Sequence, residues 1–227
     1  TALNGLNLHL NEGDFVTVIG GNGAGKSTML NAVAGTWFVD EGKITIDDID
    51  VTKLPEHKRA KYLGRVFQDP MTGTAATMQI EENMALAARR GMTRSLKAGI
   101  TAKEREFYRE QLKILGLGLE DRLTSKVGLL SGGQRQALTL LMATMNPPKL
   151  LLLDEHTAAL DPGTAEKVLN LTKRIVEEHQ LTCLMITHNM QSALDLGNRI
   201  LMMDSGDIVL DIHEEEKKGL TVEGLLE

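Results

Sequence analysis

Residues 20–28 read GGNGAGKST and match the pattern G-x-x-x-x-G-K-[ST] at every fixed position. A short apolar, β-favouring run precedes them at Phe15–Ile19, and Lys26–Ala34 reads as a helix. Glycines in such a loop let successive backbone N–H groups point at phosphate oxygens. Lys26 reaches the outer phosphates, and the hydroxyl of Ser27 ligates Mg²⁺. The stretch therefore predicts a strand, a phosphate loop and a helix, the start of an α/β fold with a nucleotide site.

Short apolar runs predict the other strands of the fold. The run at 150–153 is continuously apolar, as expected for a central parallel strand that is covered on both faces. The full set of further predicted strands is Lys43–Ile46, Arg65–Phe67, Leu150–Leu153, Cys183–Ile186 and Ile200–Met203.

A mostly helical segment interrupts this strand pattern. Between Met71 and about Ala137 the strand signal vanishes, and helices are predicted at Glu81–Arg90 and Lys103–Leu115. We therefore predict an α/β core, residues 1–70 and 138–227, with an inserted helical subdomain at 71–137.

The composition fits a soluble globular protein and limits its partners. The chain has 227 residues, of which 42% are hydrophobic and 25% charged, and its formal net charge is −6. Mixed charge with a negative balance does not support nucleic acid or an anionic membrane surface as the main partner. We find no apolar run of ~20 residues that would span a membrane. The single cysteine, Cys183, lies in a predicted buried strand and fits a reducing cytoplasm.

Polar side chains follow three predicted strands. Asp154 and Glu155 end the stretch LLLLDE, so the strand delivers them to the carboxyl edge of the sheet, where α/β proteins bind ligands. Asp154 can hold Mg²⁺, and Glu155 can orient or deprotonate an attacking water. Gln68 follows the strand VF, where it could ligate Mg²⁺ or water, and His188 follows MIT, where it could donate to a γ-phosphate. Together with Lys26, these side chains can converge on one phosphate.

A second helix start lies at residues 130–134, LSGGQ. Ser131 can cap the first turn, and the two glycines after it let an anion approach the backbone N–H groups. This start has no lysine, although it has the chemistry of a second phosphate site.

The order GGNGAGKST, FQ, LSGGQ, LLLLDE, AALD, ITH resembles the ATP-binding-cassette (ABC) ATPases over nearly the whole chain. The resemblance implies a P-loop NTPase core with a mainly parallel sheet and a small antiparallel part near the N-terminus. It also implies ATP as the nucleotide, bound by Gly20, Gly21, Asn22, Gly23, Ala24, Gly25, Lys26, Ser27 and Thr28.

In that family two cassettes stack head to tail, and this arrangement accounts for the second helix start. Ser131, Gly132, Gly133 and Gln134 would cap the γ-phosphate that is held by the other copy. Asp161 in AALD would contact the partner cassette, and the insert at 71–137 would meet a transmembrane subunit.

The resemblance implies an ATP hydrolase that acts as the peripheral subunit of a membrane transporter, on the cytoplasmic face of the membrane. Its expected partners are a second copy, a transmembrane permease and an extracytoplasmic solute-binding protein, in an importer for a small organic nutrient. The alternative is an ATPase of a non-transport complex, such as nucleic-acid repair. Those repair proteins carry hundreds of coiled-coil residues inside the cassette, whereas only 62 residues separate Gln68 from Ser131.

Several residues differ from the family pattern, and others have no role that the pattern defines. His156 stands where the family usually has proline, and we predict a tolerated surface histidine there. The adenine-stacking aromatic would fall before Thr1, and Trp37 and Phe38 are predicted to pack after the first helix instead. MTGTAATM, residues 71–78, is either a permease-facing lever or a flexible loop. The charge run DIHEEEKKG at 211–219 is predicted to be a solvated face.

Overall fold

The computed structural model describes residues 2–92 and 99–225, which form a central sheet with helices on both faces. The strands are β1 Phe15–Gly20, β2 Thr45–Ile46, β3 Ile49–Asp50, β4 Leu63–Val66, β5 Leu150–Asp154, β6 Cys183–Ile186, β7 Arg199–Asp204 and β8 Asp207–His213. The α-helices are α1 Lys26–Ala34, α2 Glu56–Arg59, α3 Ile80–Ala88, α4 Ala102–Lys113, α5 Gly132–Thr144, α6 Pro162–Glu178, α7 Met190–Asp195 and α8 Glu214–Lys217.

The main sheet has six strands in the order β4-β5-β6-β1-β7-β8. The first five run parallel, and β8 pairs antiparallel with β7. Their registers place Val66 beside Leu153 and Asp154 beside Ile186, which in turn pairs with Val18. The carboxyl ends of β4, β5, β6 and β1 therefore meet at one edge of the sheet, which is where open α/β sheets bind ligands.

Alternating side chains divide the strands between two apolar layers. On β5, Leu152 packs with residues of α1, whereas Leu151 and Leu153 pack with residues of α5 and α6. On β6, Leu184 joins the first layer and Cys183 the second. Because both faces of these strands are covered, apolar residues fill every position, as the run at 150–153 predicts.

Helices α3 and α4 share an apolar cluster with α5. Buried side chains of α3 and α4, such as Met84 and Tyr108, pack against Leu138 of α5. Since α5 also contributes Leu140 to the core against the sheet, this one helix joins the two apolar clusters.

A short antiparallel hairpin lies near the N-terminus, as the family resemblance implies. The predicted strand at Lys43–Ile46 is only two residues long, Thr45–Ile46, and it pairs with β3. The turn between them is Asp47-Asp48, with positive φ at both residues, the type I′ geometry of tight hairpins.

One strand prediction and the prediction for the charge run need correction. The strand predicted at Arg65–Phe67 lies at Leu63–Val66, because Leu63 and Val66 are the residues buried beside β5. The charge run at 211–219 is not simply a solvated face. Its first three residues end β8, and Asp211 there accepts hydrogen bonds from both Nε and Nη2 of Arg199 at 2.8 and 2.7 Å.

Trp37 and Phe38 do not pack behind α1, contrary to the prediction: 53% and 60% of their surfaces are exposed. The chain turns at Gly35, and the apolar layer beside α1 is already filled by Leu30 and Ala34. Within residues 2–92 and 99–225, no helix has the length and apolar character needed to cross a membrane.

Candidate active site

The phosphate loop connects β1 to α1 and depends on glycine at its first position. Gly20 has φ +146°, and a Cβ atom at that residue would lie 2.2 Å from the carbonyl oxygen of Met203. Gly25, with φ +101°, directly precedes α1. In the described chain no side chain caps the first turn of α1, so its backbone N–H groups remain available to an anion.

Lys26 is folded back onto the loop that it serves. Its side chain is buried, and Nζ donates to the carbonyl oxygens of Gly20 and Gly21 at 2.7 and 2.9 Å. Burial lowers the pKa of the Lys26 ammonium, and the charge of Glu155 opposes that effect. Ser27, the next residue, is exposed at the start of the helix.

Asp154 ends β5 beside an arginine that sequence reasoning did not single out. Its Oδ2 lies 3.7 Å from Nη2 of Arg65, which also donates to Oδ1 of Asn31 on α1 at 2.6 Å. Desolvation raises the pKa of the Asp154 carboxyl, the charge of Arg65 lowers it, and Glu155 raises it further. Arg65 thus joins the phosphate-loop helix to the end of β5. Arg65 lies on β4, which pairs with β5. Because that pairing is visible only in the sheet order, no sequence pattern pointed to this residue.

Glu155 lies at a sharp turn directly after β5. Its φ is +48°, a left-handed conformation that costs a residue with a side chain roughly 1 kcal/mol or more. The turn is held because the Glu155 backbone N–H donates to the carbonyl of Ile186 at 3.1 Å. Oε1 of the carboxylate lies 2.7 Å from Nε2 of His188, which follows β6. The structure thus brings together the two residues predicted from separate strand ends.

Gln68 lies at the same sheet edge, two residues beyond the end of β4, and is exposed. Lys26, Asp154, Glu155 and His188 therefore group around the ends of β1, β5 and β6, and Gln68 flanks them from β4.

His156 is buried, so its prediction as a surface residue is wrong. Only 2% of its surface is exposed, and Nε2 lies 2.9 Å from Oγ1 of Thr172 on α6. The Thr172 hydroxyl donates to the carbonyl of Val168, so it accepts from an Nε2–H of the histidine. Burial lowers the pKa of His156 to about 4, which makes this imidazole neutral at pH 7.

Ser131 is the N-cap of the second helix start, as predicted. The Ser131 hydroxyl accepts from the backbone N–H of Gln134 at 3.2 Å, and the Gln134 side chain accepts from the N–H of Ser131 at 3.0 Å. Ser131 and Gly132 are exposed. No hydrogen bond or ion pair among the described residues joins this turn to the phosphate loop of the same chain.

Gly133 and Asp161 have contacts within their own chain. A Cβ atom on Gly133 would lie 2.2 Å from Cγ2 of Thr164, so a larger residue there would force the Thr164 side chain on α6 to move. Asp161 caps α6, because its Oδ1 accepts from the backbone N–H of Thr164 at 3.1 Å. Hydrogen bonds from Thr164 lower the pKa of the Asp161 carboxyl.

The residues predicted to hold Mg²⁺ offer only oxygen ligands: the hydroxyl of Ser27, the carboxylate of Asp154 and the amide oxygen of Gln68. The described residues contain no group of three or more His, Cys, Asp or Glu side chains that could hold a metal by themselves. Few protein oxygens beside a phosphate site suit Mg²⁺, which commonly keeps waters and binds through substrate phosphates.

In comparisons with known proteins, residues 3–158 match the family described as ABC transporter. The tyrosine transport ATP-binding protein of Clostridioides difficile (strain R20291) is 45% identical over 100% of this chain and 90% of its own length. A methionine import ATP-binding protein of Streptococcus agalactiae is 33% identical, over 97% of this chain and 62% of that protein.

Solved structures show the same architecture. A dimeric ATP-binding cassette in a post-hydrolysis state, bound to ADP and Pi, superposes with a TM-score of 0.78 and 32% identity. The match covers 94% of this chain and 90% of that one.

Proposed function

The chain belongs to the ABC transporter family as an ATP-binding, ATP-hydrolysing subunit, and from this premise we propose that it powers a separate permease that imports an amino acid. The proposal is supported by relatives named for tyrosine transport and methionine import, the first aligned over the full chain. These names do not favour the alternative of a nucleic-acid repair ATPase. The observation that carries the proposed activity is the grouping of Lys26, Glu155 and His188 at one sheet edge.

In this proposal residues 20–28 bind the phosphates of ATP. Backbone N–H groups of the loop and of the first turn of α1 donate to phosphate oxygens, which also suit the positive end of the helix dipole. Lys26 would exchange its two carbonyl acceptors, on Gly20 and Gly21, for the outer phosphates. Since its ammonium is buried and already oriented, little side-chain freedom is lost on binding.

Ser27, Asp154 and Gln68 would hold Mg²⁺ together with the nucleotide, because they supply the hard oxygen donors that this ion prefers. The ion would neutralise charge on the phosphates. Arg65 is the cation beside Asp154 in the present structure, with Nη2 3.7 Å from Oδ2 of the carboxylate.

Glu155 is the proposed general base. Its carboxylate would take a proton from the water whose oxygen forms the new bond to the γ-phosphorus. The bond from that phosphorus to the bridging oxygen then breaks, and ADP leaves with the electron pair. His188, whose Nε2 lies 2.7 Å from Oε1 of Glu155, would orient the carboxylate through that nitrogen, and donation to the γ-phosphate would use the other ring nitrogen, Nδ1. Gln68 would position the water.

A second copy of the chain would complete the site. Ser131 to Gln134 form a capped helix start that is exposed at Ser131 and Gly132 and makes no hydrogen bond to the phosphate loop of its own chain among the described residues, which suits a nucleotide held by a partner. Asp161 would add a contact between the copies. The dimeric cassette among the similar structures supports this pairing.

The remaining partners follow from a role in import. We propose that the insert at 71–137 is a subdomain that docks on the permease at the cytoplasmic face of the membrane, with residues 71–78 as the lever. Met71 in that segment is 44% exposed. An extracytoplasmic solute-binding protein would deliver the amino acid.

The test is reconstitution of the chain with its cognate permease in proteoliposomes that contain Mg-ATP. We expect uptake of radiolabelled tyrosine or methionine that depends on ATP and stops when Glu155→Gln replaces the parent chain. Uptake that proceeds equally without ATP, or ATP-driven export of the same solutes, would contradict the importer.

A further inference from the structure

Gln136 on α5 is a fully buried polar side chain that lies between the elements of the candidate site. Its exposed fraction is 0%, and Nε2 donates to the backbone carbonyl of Phe67 at 2.8 Å and to that of His156. Oε1 shares the single hydroxyl hydrogen of Thr139, 3.0 Å away on the same helix, with the backbone carbonyl of Gln136, which lies 2.8 Å from that hydroxyl. Three of the hydrogen-bonding positions of the carboxamide are thus occupied inside the protein.

The chemistry of these partners fixes the orientation of the amide. Both neighbours of Nε2 are carbonyl oxygens, which can only accept, so a flipped amide would place Oε1 against two acceptors. Both hydrogens of the NH₂ group are used, one for each carbonyl. Satisfying both carbonyls in this arrangement therefore requires a side chain with two donor hydrogens on one atom.

The two carbonyls belong to the loops that carry the proposed catalytic groups. Phe67 directly precedes Gln68, and His156 directly follows Glu155. Gln136 therefore connects the loop after β4 to the turn after β5. These two loops are far apart in sequence, and among their described residues no hydrogen bond joins them to each other directly.

The same side chain belongs to the helix that begins at Ser131, five residues earlier. The start of this helix is held to the preceding loop, since Arg135 donates to the carbonyls of Gly128 and Leu130, both at 3.2 Å. A regular helix is rigid over so short a distance, so a shift of Ser131 moves Gln136 with it.

From these contacts we propose that Gln136 is a positioning residue, which ties the helix start at Ser131 to the loops of Gln68 and Glu155. This inference rests on the proposed roles of Gln68 and Glu155. Contact of the helix start with a nucleotide on the partner copy would then set the geometry of the hydrolytic groups in its own chain. Gln136 touches neither substrate nor water in this role.

The test is Gln136→Met, which keeps the length of the side chain and removes both donors. We expect kcat for ATP hydrolysis to fall roughly tenfold or more, because a small displacement of a catalytic group is costly, while KM changes by less than about threefold. Loss of packing alone would not separate kcat from KM in this way.

The matched control is Thr144→Val. Thr144 is another buried polar residue of α5, but its hydroxyl donates only to Leu140 and Leu141 of the same helix. We expect this variant to keep the kcat of the parent. If Gln136→Met does not fold, as judged by thermal unfolding, Gln136→Asn is measured by the same criterion, since its shorter amide cannot reach both carbonyls.

A folded variant with kcat within about twofold of the parent, or an equal loss in Thr144→Val, would overturn the inference. Glu155→Gln is measured in parallel. If Glu155→Gln is inactive while the Gln136 variant is normal, only the inference fails. If Glu155→Gln hydrolyses ATP like the parent, the proposed site itself fails.

Discussion

The buried imidazole of His156 supports the turn that carries Glu155. It follows Glu155, whose left-handed backbone turns the chain away from the sheet. The histidine anchors the far side of that turn through Thr172 and through its own carbonyl, which accepts from Gln136. A neutral ring suits this buried position because burial there disfavours the charged form.

This burial predicts a loss of stability in acid. The folded pKa of about 4 lies below the ordinary value of 6.5, so the unfolded chain binds a proton over that interval and the folded chain does not. The free energy of unfolding has this contribution in full above pH 6.5 and loses it as the pH falls toward 4. The loss at pH 5 is about 2 kcal/mol. Urea unfolding of the parent and of His156→Gln between pH 7.5 and pH 5 measures it. The variant should lose less stability, and parallel curves would contradict the assignment.

Lys26→Ala tests the phosphate loop. The variant removes the only charge that the loop directs at the outer phosphates, so ATP affinity should fall roughly 100-fold or more. Isothermal titration with ATP measures the change, and thermal unfolding without nucleotide checks that the variant is folded. ATP affinity equal to that of the parent would refute the assignment of residues 20–28.

Glu155→Gln should separate binding from hydrolysis. The amide keeps the volume and can still contact His188, but it cannot take a proton, so kcat should fall roughly 100-fold or more while ATP still binds. Two copies should then stay associated on uncleaved ATP, seen as an ATP-dependent dimer in size-exclusion chromatography. Hydrolysis at the parent rate would show that Glu155 is not the base.

Among the elements, the start of α5 has an observed capping role and a proposed contact with nucleotide, which substitution can separate. Ser131 caps the helix within its own chain, and alanine there would cost about 1 kcal/mol of stability. Aspartate caps equally well but adds a negative charge, so Ser131→Asp keeps the helix and repels a phosphate brought close to it.

We therefore expect Ser131→Asp, in the Glu155→Gln background, to abolish the ATP-dependent dimer while leaving the unfolding temperature within a few degrees of the parent. Ser131→Asn is the control, because it caps without charge and should still dimerise. A dimer that is equally strong in both variants would mean that this turn does not face a nucleotide. Gly133 is less suitable for such a test because a Cβ atom there would lie 2.2 Å from Cγ2 of Thr164 and displace that side chain.

For the whole molecule, the decisive question is whether two copies share each site. A mixture of Lys26→Ala and Ser131→Asp chains forms heterodimers with one intact composite site, made of the phosphate loop of the second chain and the helix start of the first. ATP-driven association, measured by fluorescence transfer between labelled chains, should appear in the mixture and not in either variant alone. Cys183 does not interfere with thiol labelling on an added surface cysteine, because it is buried and its pKa is raised. If ATP-driven association fails in the mixture as well as in each variant alone, Ser131 acts within its own chain and not on the nucleotide of a partner.

The sequence by itself determined the features whose causes are local. The phosphate loop and α1, the N-cap at Ser131, and the buried strands β5 and β6 all lie where short patterns predict them. Such features depend on backbone geometry and capping within a few residues, so neighbouring letters contain the information. The roles of Gln68, Glu155, Ser131 and Asp161, and the division at residues 71–137, stay predictions.

Which distant groups meet depends on how the strands and helices pack together. The tertiary structure placed Arg65 against Asp154, buried His156 against Thr172, and put Gln136 between two loops that are far apart in the chain. Strand order and helix packing bring these groups together, and a pattern of neighbouring residues does not encode that order. The physical reason is that burial and partner choice depend on contacts between elements, whereas secondary structure begins with contacts inside them.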